Sequence, residues 1–233
     1  MRTRYSTADM RIAEIFYSVQ GEGSLVGVPS IFVRTSGCNL RCSWCDTPYT
    51  SWNPEGGEMS VDEILDRATE FSAARHVVLT GGEPMIAPGM VELSRRFRGQ
   101  GMHITIETAG TVFAPVECDL MSISPKLSNS TPEGAFRAQH ERLRLQPDVL
   151  RRLMEGYDYQ LKFVIARAED VEEARAVACQ VGAPASKVIL MPEGITAETL
   201  DRRGEWIAEI CKQHGFRFSP RLHVHLYGNR RGV

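Results

Sequence analysis

Three cysteines fall within eight residues in SGCNLRCSWCDTPYT (36–50): Cys38, Cys42 and Cys45. Thiolates at such short gaps suit a soft metal centre. Three chemistries compete for them. Structural zinc asks for a closed tetrahedral set of four ligands, yet no paired cysteine or histidine knuckle lies elsewhere in the chain. His76 and His103 stand singly in or beside strand-like runs, and His223 and His225 would share one face of a distant extended segment. A dithiol redox site needs only Cys42 and Cys45, which form a C-x-x-C pair, and leaves Cys38 idle. A [4Fe–4S] cluster held by three thiolates leaves one iron without a protein ligand, free to be chelated by a small molecule that offers an amine and a carboxylate together.

Downstream, TGGEP (80–84) has the means to hold such a group. Gly81 and Gly82 permit close backbone approach, and Glu83 adds a carboxylate that accepts from an ammonium.

These segments need elements to position them. Short runs rich in β-branched residues, IFVRT (31–35), VVLT (77–80), MHITIE (102–107), DLMSIS (119–124), QLKFVI (160–165) and KVILM (187–191), read as strands. Amphipathic stretches at 61–71, 90–97, 147–156, 169–182 and 197–214 read as the helices around them. This βαβ rhythm predicts a mainly parallel sheet covered by helices. Eight full βα units take about 250 residues, and this chain spends length on the cysteine loop and on the polar stretch 125–146. The expected fold is therefore α/β, an incomplete TIM-like barrel open on one side, in a single domain over 1–233. RIAEIFYS (11–18) and RLHVHLY (221–227) are read as additional strands, the latter within a carboxy-terminal segment 216–233.

The unusual motifs all fall where a strand ends. The cysteine loop follows 31–35, TGGEP follows 77–79, ETAGT (107–111) closes 102–106, SPK (124–126) follows 119–123 and MPEG (191–194) closes 187–190. Ligands gather at the carboxyl ends of parallel strands, where loops converge. Ordinary turn chemistry explains any one of these motifs, but poorly explains their chemical variety.

Bulk properties narrow the class. The 233 residues are 42% hydrophobic, and Lys+Arg 27 against Asp+Glu 29 gives a formal charge of −2, so no nucleic-acid partner is indicated. The arginines at 137, 142, 144, 151 and 152 form the densest basic stretch and read as a solvated helix face. The first thirty residues show no apolar signal region, and no run of eighteen apolar residues occurs, so a cytoplasmic protein without a membrane partner is expected. Cys118, Cys179 and Cys211 are scattered among apolar neighbours and read as small core or near-core residues.

C-x-x-x-C-x-x-aromatic-C followed by a GGEP segment resembles the radical S-adenosylmethionine (SAM) enzymes. The resemblance implies that Cys38, Cys42 and Cys45 hold the cluster, that Trp44 lies against the adenine, and that Gly81, Gly82 and Glu83 meet the methionine end. Glu107, Ser124 and Lys126 share that rim and would contact the ribose or carboxylate. IFYSVQGEGSLVGVPSIFVRTSGCNLRCSWCDTPYT, with TGGEP, ETAGT, SPK, MPEG and LHVHLYGNRRGV in order, is similar to the 7-carboxy-7-deazaguanine synthase family across nearly the whole chain.

That likeness implies reductive cleavage of SAM, hydrogen abstraction from 6-carboxy-5,6,7,8-tetrahydropterin, and ring contraction with loss of ammonia. It also implies Mg²⁺, a flavodoxin or ferredoxin as electron donor, and a homodimer. Gln20, Glu22, Arg34, Thr80 and His223 become the expected substrate contacts. Gln20 and Glu22 alternate to one side of an extended segment, where amide and carboxylate can bracket the edge of a heterocycle, and Arg34 offers a fork for a carboxylate. Asp46 and Thr47 put hard oxygens directly after the cysteines, with Thr47 the favoured Mg²⁺ ligand; the alternative for both is a turn or helix cap. A glycyl-radical-activating enzyme shares the cysteine pattern, but VQGEG (19–23) and the expected carboxy-terminal histidine strand argue against it. A non-catalytic iron–sulfur or zinc module is the rival outside catalysis.

Overall fold

The computed structural model describes residues 9–233. Nine strands form one sheet: β1 (Met10–Val19), β2 (Pro29–Thr35), β3 (Gly57–Met59), β4 (His76–Gly81), β5 (His103–Thr108), β6 (Leu120–Ile123), β7 (Tyr159–Ile165), β8 (Val188–Pro192) and β9 (Arg217–Phe218). Their spatial order is β3-β1-β2-β4-β5-β6-β7-β8-β9. From β2 to β9 every pairing is parallel, while β1 pairs antiparallel with both β2 and β3. The two ends of the sheet do not pair, so the barrel stays open, as the residue count predicts.

Eight helices accompany the sheet: α1 (Pro48–Ser51), α2 (Val61–Ala68), α3 (Met90–Gly99), α4 (Arg137–Leu143), α5 (Pro147–Gly156), α6 (Ala168–Val181), α7 (Ala197–His214) and α8 (Leu222–Tyr227). The helix expected over 197–214 begins where the Thr196 hydroxyl accepts from the Thr199 N–H, an ordinary N-cap. α2 carries a full capping box, Ser60 with Glu63.

The period of two along each strand separates core from site. Ile31 and Val33, Val77 and Leu79, Ile104 and Ile106, Met121 and Ile123, Leu161 and Phe163, and Val188 and Leu190 all point into one apolar cluster with helix residues such as Ile64, Phe97, Leu153, Val177 and Ile207. The alternate positions Arg34, Thr80, Glu107, Ser122, Lys162 and Met191 line the concave face. Each strand thus buries one row of side chains to hold the other in place.

Three readings are corrected. RLHVHLY is not a strand: residues 222–227 form α8, and within 216–233 only Arg217–Phe218 adds to the sheet. Its apolar alternation does not track burial, since Val224 is buried while Leu226 is 54% exposed. In a helix, positions i and i+2 point apart, so His223 and His225 part company: His223 lines the concave cavity and His225 bonds Asp201 outside it. Cys179 is exposed on α6, whereas Cys211 is buried and Cys118 partly so. The five arginines do not form one solvated face. Arg144 is mostly covered and bridges Glu141 and Glu173, and Arg152 lies 3.6 Å over the Phe113 ring.

Candidate active site

The carboxyl ends of the strands enclose a cavity of about 480 Å³. Cys38, Cys42 and Cys45 line it from the loop after β2, and Gly81 and Gly82 line it from the end of β4. The glycines are required where they stand. A Cβ on Gly81 would lie 2.3 Å from the Thr35 carbonyl oxygen, and one on Gly82 would lie 2.2 Å from the Gly37 carbonyl oxygen. Without side chains, the Gly82 and Glu83 N–H groups donate to Thr35 and Gly37, joining TGGEP to the root of the cysteine loop.

The cysteine loop is held at several points. The Trp52 indole donates to the Cys42 carbonyl at 2.9 Å, and the Trp44 indole donates to the Asn129 carbonyl at 3.0 Å. The Arg41 N–H donates to His140 Nδ1 at 3.2 Å. Burial lowers the pKa of His140, so the ring is neutral and its Nε2 carries the proton toward Ser130, 2.9 Å away. His140, Asn129 and Trp52 were not singled out in the sequence, since their roles depend on chain distances no local pattern records.

All six cysteines are free thiols. Burial pushes Cys38 up to about 11 and Cys42 up to about 12, with Lys126 acting in the opposite direction. Metal binding to these thiols would displace their protons to solvent. Among the described residues no group of three His, Cys, Asp or Glu could hold one metal ion; a four-iron cluster spreads its thiolate ligands over several irons. The donor set fits such a cluster: three sulfurs from one loop, packed with Leu40, Ala109 and Leu143 in a small apolar nest.

Trp44 faces the cavity with Lys126 Nζ 5.8 Å from its ring centre, and Lys126 donates to Ser124 at 3.0 Å. Glu83 stands apart from the expectation that its carboxylate meets an ammonium. It is completely buried, lies off the cavity wall, and accepts from the Thr108 hydroxyl and the Met85 and Ala109 N–H groups. Burial raises its pKa against these donors. Its side chain is a structural tie between β4 and β5, leaving only the backbone of TGGEP for a ligand.

Another stretch of the cavity lining is ionic. Glu22 receives Lys162 on one oxygen and Arg221 Nε, at 3.0 Å, on the other; Arg221 also grips Asp46, directly after Cys45. Burial works to raise the Glu22 pKa, but Lys162, Arg221 and His223 hold it well below the usual carboxylate range. Burial likewise disfavours the Lys162 and Arg221 charges, and their carboxylate partners more than restore them. The Glu22 carboxylate and the two cations therefore stay charged inside the protein. Arg34 Nε donates to Glu14 at 2.7 Å, as does the Tyr49 hydroxyl, and the other guanidinium nitrogens of Arg34 have no protein partner among the described residues. Gln20 and Thr80 both donate to Glu107, at 3.1 and 2.9 Å. His223 lines the cavity against Gly21, where a Cβ would lie 1.9 Å from its Nδ1, and burial lowers its pKa. The Thr47 hydroxyl lies 3.8 Å from Cys45 Sγ.

The structure thus gathers every expected contact except the Glu83 carboxylate around one cavity. Lys162 and Arg221 are the additions to that lining, while Asn129 and His140 hold the cysteine loop without lining the cavity.

An open parallel barrel with three loop cysteines and a glycine-paired turn at its rim defines a class. The family model of the Radical SAM superfamily matches residues 32–207. The chain is 43% identical to a 7-carboxy-7-deazaguanine synthase of Rhodopirellula baltica, over 99% of this chain and 91% of that protein. It is also 43% identical to one from Halobacterium salinarum, over 94% and 90%. The crystal structure of QueE from Escherichia coli superposes with a TM-score of 0.70 at 26% identity, covering 92% of this chain and 95% of that one. Streptococcus suis SuiB bound to S-adenosylmethionine shares the fold alone, with a TM-score of 0.53 at 14% identity. The chain belongs to the radical SAM superfamily and, within it, to the 7-carboxy-7-deazaguanine synthase family.

Proposed function

We propose that this enzyme converts 6-carboxy-5,6,7,8-tetrahydropterin to 7-carboxy-7-deazaguanine and ammonia, in 7-deazapurine biosynthesis. One observation carries the reading: the thiol loop and the Glu22–Lys162–Arg221 group line one and the same cavity. Cys38, Cys42 and Cys45 would hold the cluster, which with SAM would supply one-electron, hydrogen-abstracting chemistry at the substrate.

The chain's own residues bind, orient and exclude water. Trp44 offers its face to the adenine, and Ser124, Lys126 and the TGGEP backbone hold the polar end of SAM. The free nitrogens of Arg34 suit the substrate carboxylate. Gln20, Glu22 and His223 offer an amide, a carboxylate and an imidazole to the polar edge of the pterin, while Thr80 keeps Glu107 in place. Lys162 and Arg221 hold the Glu22 carboxylate ionised and fixed for that contact.

A Mg²⁺ ion would take the Thr47 hydroxyl as its ligand from this chain and would steady the substrate carboxylate; Asp46 Oδ2 is paired with Arg221. The family resemblance supports a homodimer, and an acidic one-electron carrier, flavodoxin or ferredoxin, as reductant. Among the described residues no helix is long and apolar enough to cross a membrane.

The test is anaerobic incubation of the iron-loaded enzyme with dithionite, SAM, Mg²⁺ and the carboxylated tetrahydropterin. Mass detection should find the deazaguanine with an equal amount of ammonia. Cleavage of SAM without that product would leave a radical SAM enzyme of another substrate.

A further inference from the structure

Along β1 the alternation of side chains breaks once. Met10 and Ile12 belong to the buried apolar cluster, and by the period of two Glu14 should follow them inward. Instead Glu14 and Phe16 line the cavity, while Ile15 packs on the core side. The pairing with β2 gives the reason: Ile12 faces Thr35 and Glu14 faces Arg34, so Ala13 is one residue extra, a β-bulge. Gly56 fits against that bulge, since a Cβ there would lie 2.0 Å from the Ile12 carbonyl oxygen. One inserted residue thus turns a carboxylate out of the core row and sets it in the cavity beside Arg34.

Glu14 meets Arg34 in a particular way. One carboxylate oxygen accepts from Arg34 Nε and from the Tyr49 hydroxyl, both at 2.7 Å, and the other lies 3.8 Å from Arg231 Nε. An arginine held through Nε keeps its terminal nitrogens for another acceptor. Those of Arg34 have no protein partner among the described residues, although the side chain is only 17% exposed. The Phe16 ring, stacked on Phe32 with centres 5.0 Å apart, lies 5.7 Å from the guanidinium carbon. Bonded at Nε and supported by Phe16, the fork has few directions left in which to point.

We propose that Glu14 is a positioning residue: carried into the cavity by the Ala13 bulge, it aims the free fork of Arg34 at the carboxylate of the ligand, so that the site selects carboxylated pterins. This rests on the assignment of Arg34 to the substrate carboxylate and adds what gives that contact its direction.

The test is calorimetric titration of the iron-loaded enzyme, with SAM and Mg²⁺ present and no reductant, using two oxidised pterins that do not react: 6-carboxypterin and pterin. Wild type should favour the carboxylated compound at least about ten-fold, and Arg34→Met should lose that preference. Glu14→Ala should cut the preference about ten-fold while binding pterin nearly as wild type does. Glu14→Gln keeps an acceptor for Arg34 Nε and should fall between the two. A wild-type preference in Glu14→Ala, or an equal fall in its affinity for both pterins, overturns the positioning role. Should Glu14→Ala not fold, the same two outcomes in Glu14→Gln decide. Wild type binding both pterins alike, or Arg34→Met keeping the full preference, strikes the assignment of Arg34 itself and the inference with it.

Discussion

The two walls of the cavity are built by opposite means. The cofactor wall is mostly backbone and sulfur: glycines whose missing Cβ lets TGGEP lie on the cysteine loop, three thiols in an apolar nest, and indoles pinned to carbonyl oxygens. The wall we assign to substrate is a chain of charges, Lys162–Glu22–Arg221–Asp46, buried at Lys162 and Arg221 and reaching solvent at Asp46, drawn from four distant parts of the sequence. The difference follows from what each must hold. A cluster and a sulfonium cofactor need soft ligands and close approach, whereas a substrate with a carboxylate and an amide-like edge needs fixed charges that do not relax. The Arg221–Asp46 contact joins the walls, so the charge network also braces the residue after Cys45.

The largest effect belongs to the sulfur wall. Cys42→Ala should abolish cluster absorbance and product formation and leave the far-ultraviolet circular dichroism close to wild type, because the barrel core does not depend on the loop. Global unfolding of this variant would mean that the metal is structural and the comparison fails.

On the charged wall, Lys162→Met should lower unfolding free energy in urea by about 1–3 kcal/mol, because it leaves one Glu22 carboxylate oxygen without its cation while Arg221 keeps the other. Adding Glu22→Gln to that variant should recover part of the loss. If the double variant is no better than the single, the pair is not what Lys162 supports.

Gly82→Ala sharpens the sulfur side by geometry alone. Its methyl would meet the Gly37 carbonyl, for a cost of roughly 1–3 kcal/mol and a loss of iron per protein at reconstitution. Wild-type iron content with unchanged stability would show that the loop yields.

Glu22→Gln should keep SAM cleavage and raise the substrate KM about ten-fold, as one charged contact is exchanged for a neutral one. Unchanged substrate kinetics would remove Glu22 from the contact set.

The smallest effect tests burial itself. His225 pairs with Asp201 on the outside of α8, and that hydrogen bond raises its pKa. A raised folded pKa adds stability below the unfolded value near 6.5, lost as pH rises through the folded value. The pair is largely exposed, so Asp201→Asn should cost only a few tenths of a kcal/mol at pH 5 and nothing at pH 8 in urea titrations. A loss as large as that of Lys162→Met would erase the distinction between buried and exposed pairs.

The walls also differed in how far the sequence disclosed them. The cysteine spacing, the glycine pair and the strands that end at them are local patterns, and the long helix at 197–214 announces itself by its amphipathic pattern. The charge network has no local signature: Lys162 lies 140 residues from Glu22, and Arg221 lies 199 from Glu22 and 175 from Asp46. Lys162 sits inside an apolar strand run and becomes a site residue only once the alternation of β7 is tied to a concave face. RLHVHLY misleads for a related reason. A short alternating run does not say whether a strand awaits it, and at the open edge of this sheet residues 222–227 coil into a helix anchored by the Leu222 N–H to the Gly21 carbonyl.

The central claim is that cofactor and substrate share one cavity, within reach of each other. Turnover of 6-carboxytetrahydropterin deuterated at its ring carbons, followed by mass analysis of the recovered 5′-deoxyadenosine, tests it directly. Deuterium carried from substrate into 5′-deoxyadenosine is the result expected; 5′-deoxyadenosine formed in quantity without any label would contradict it.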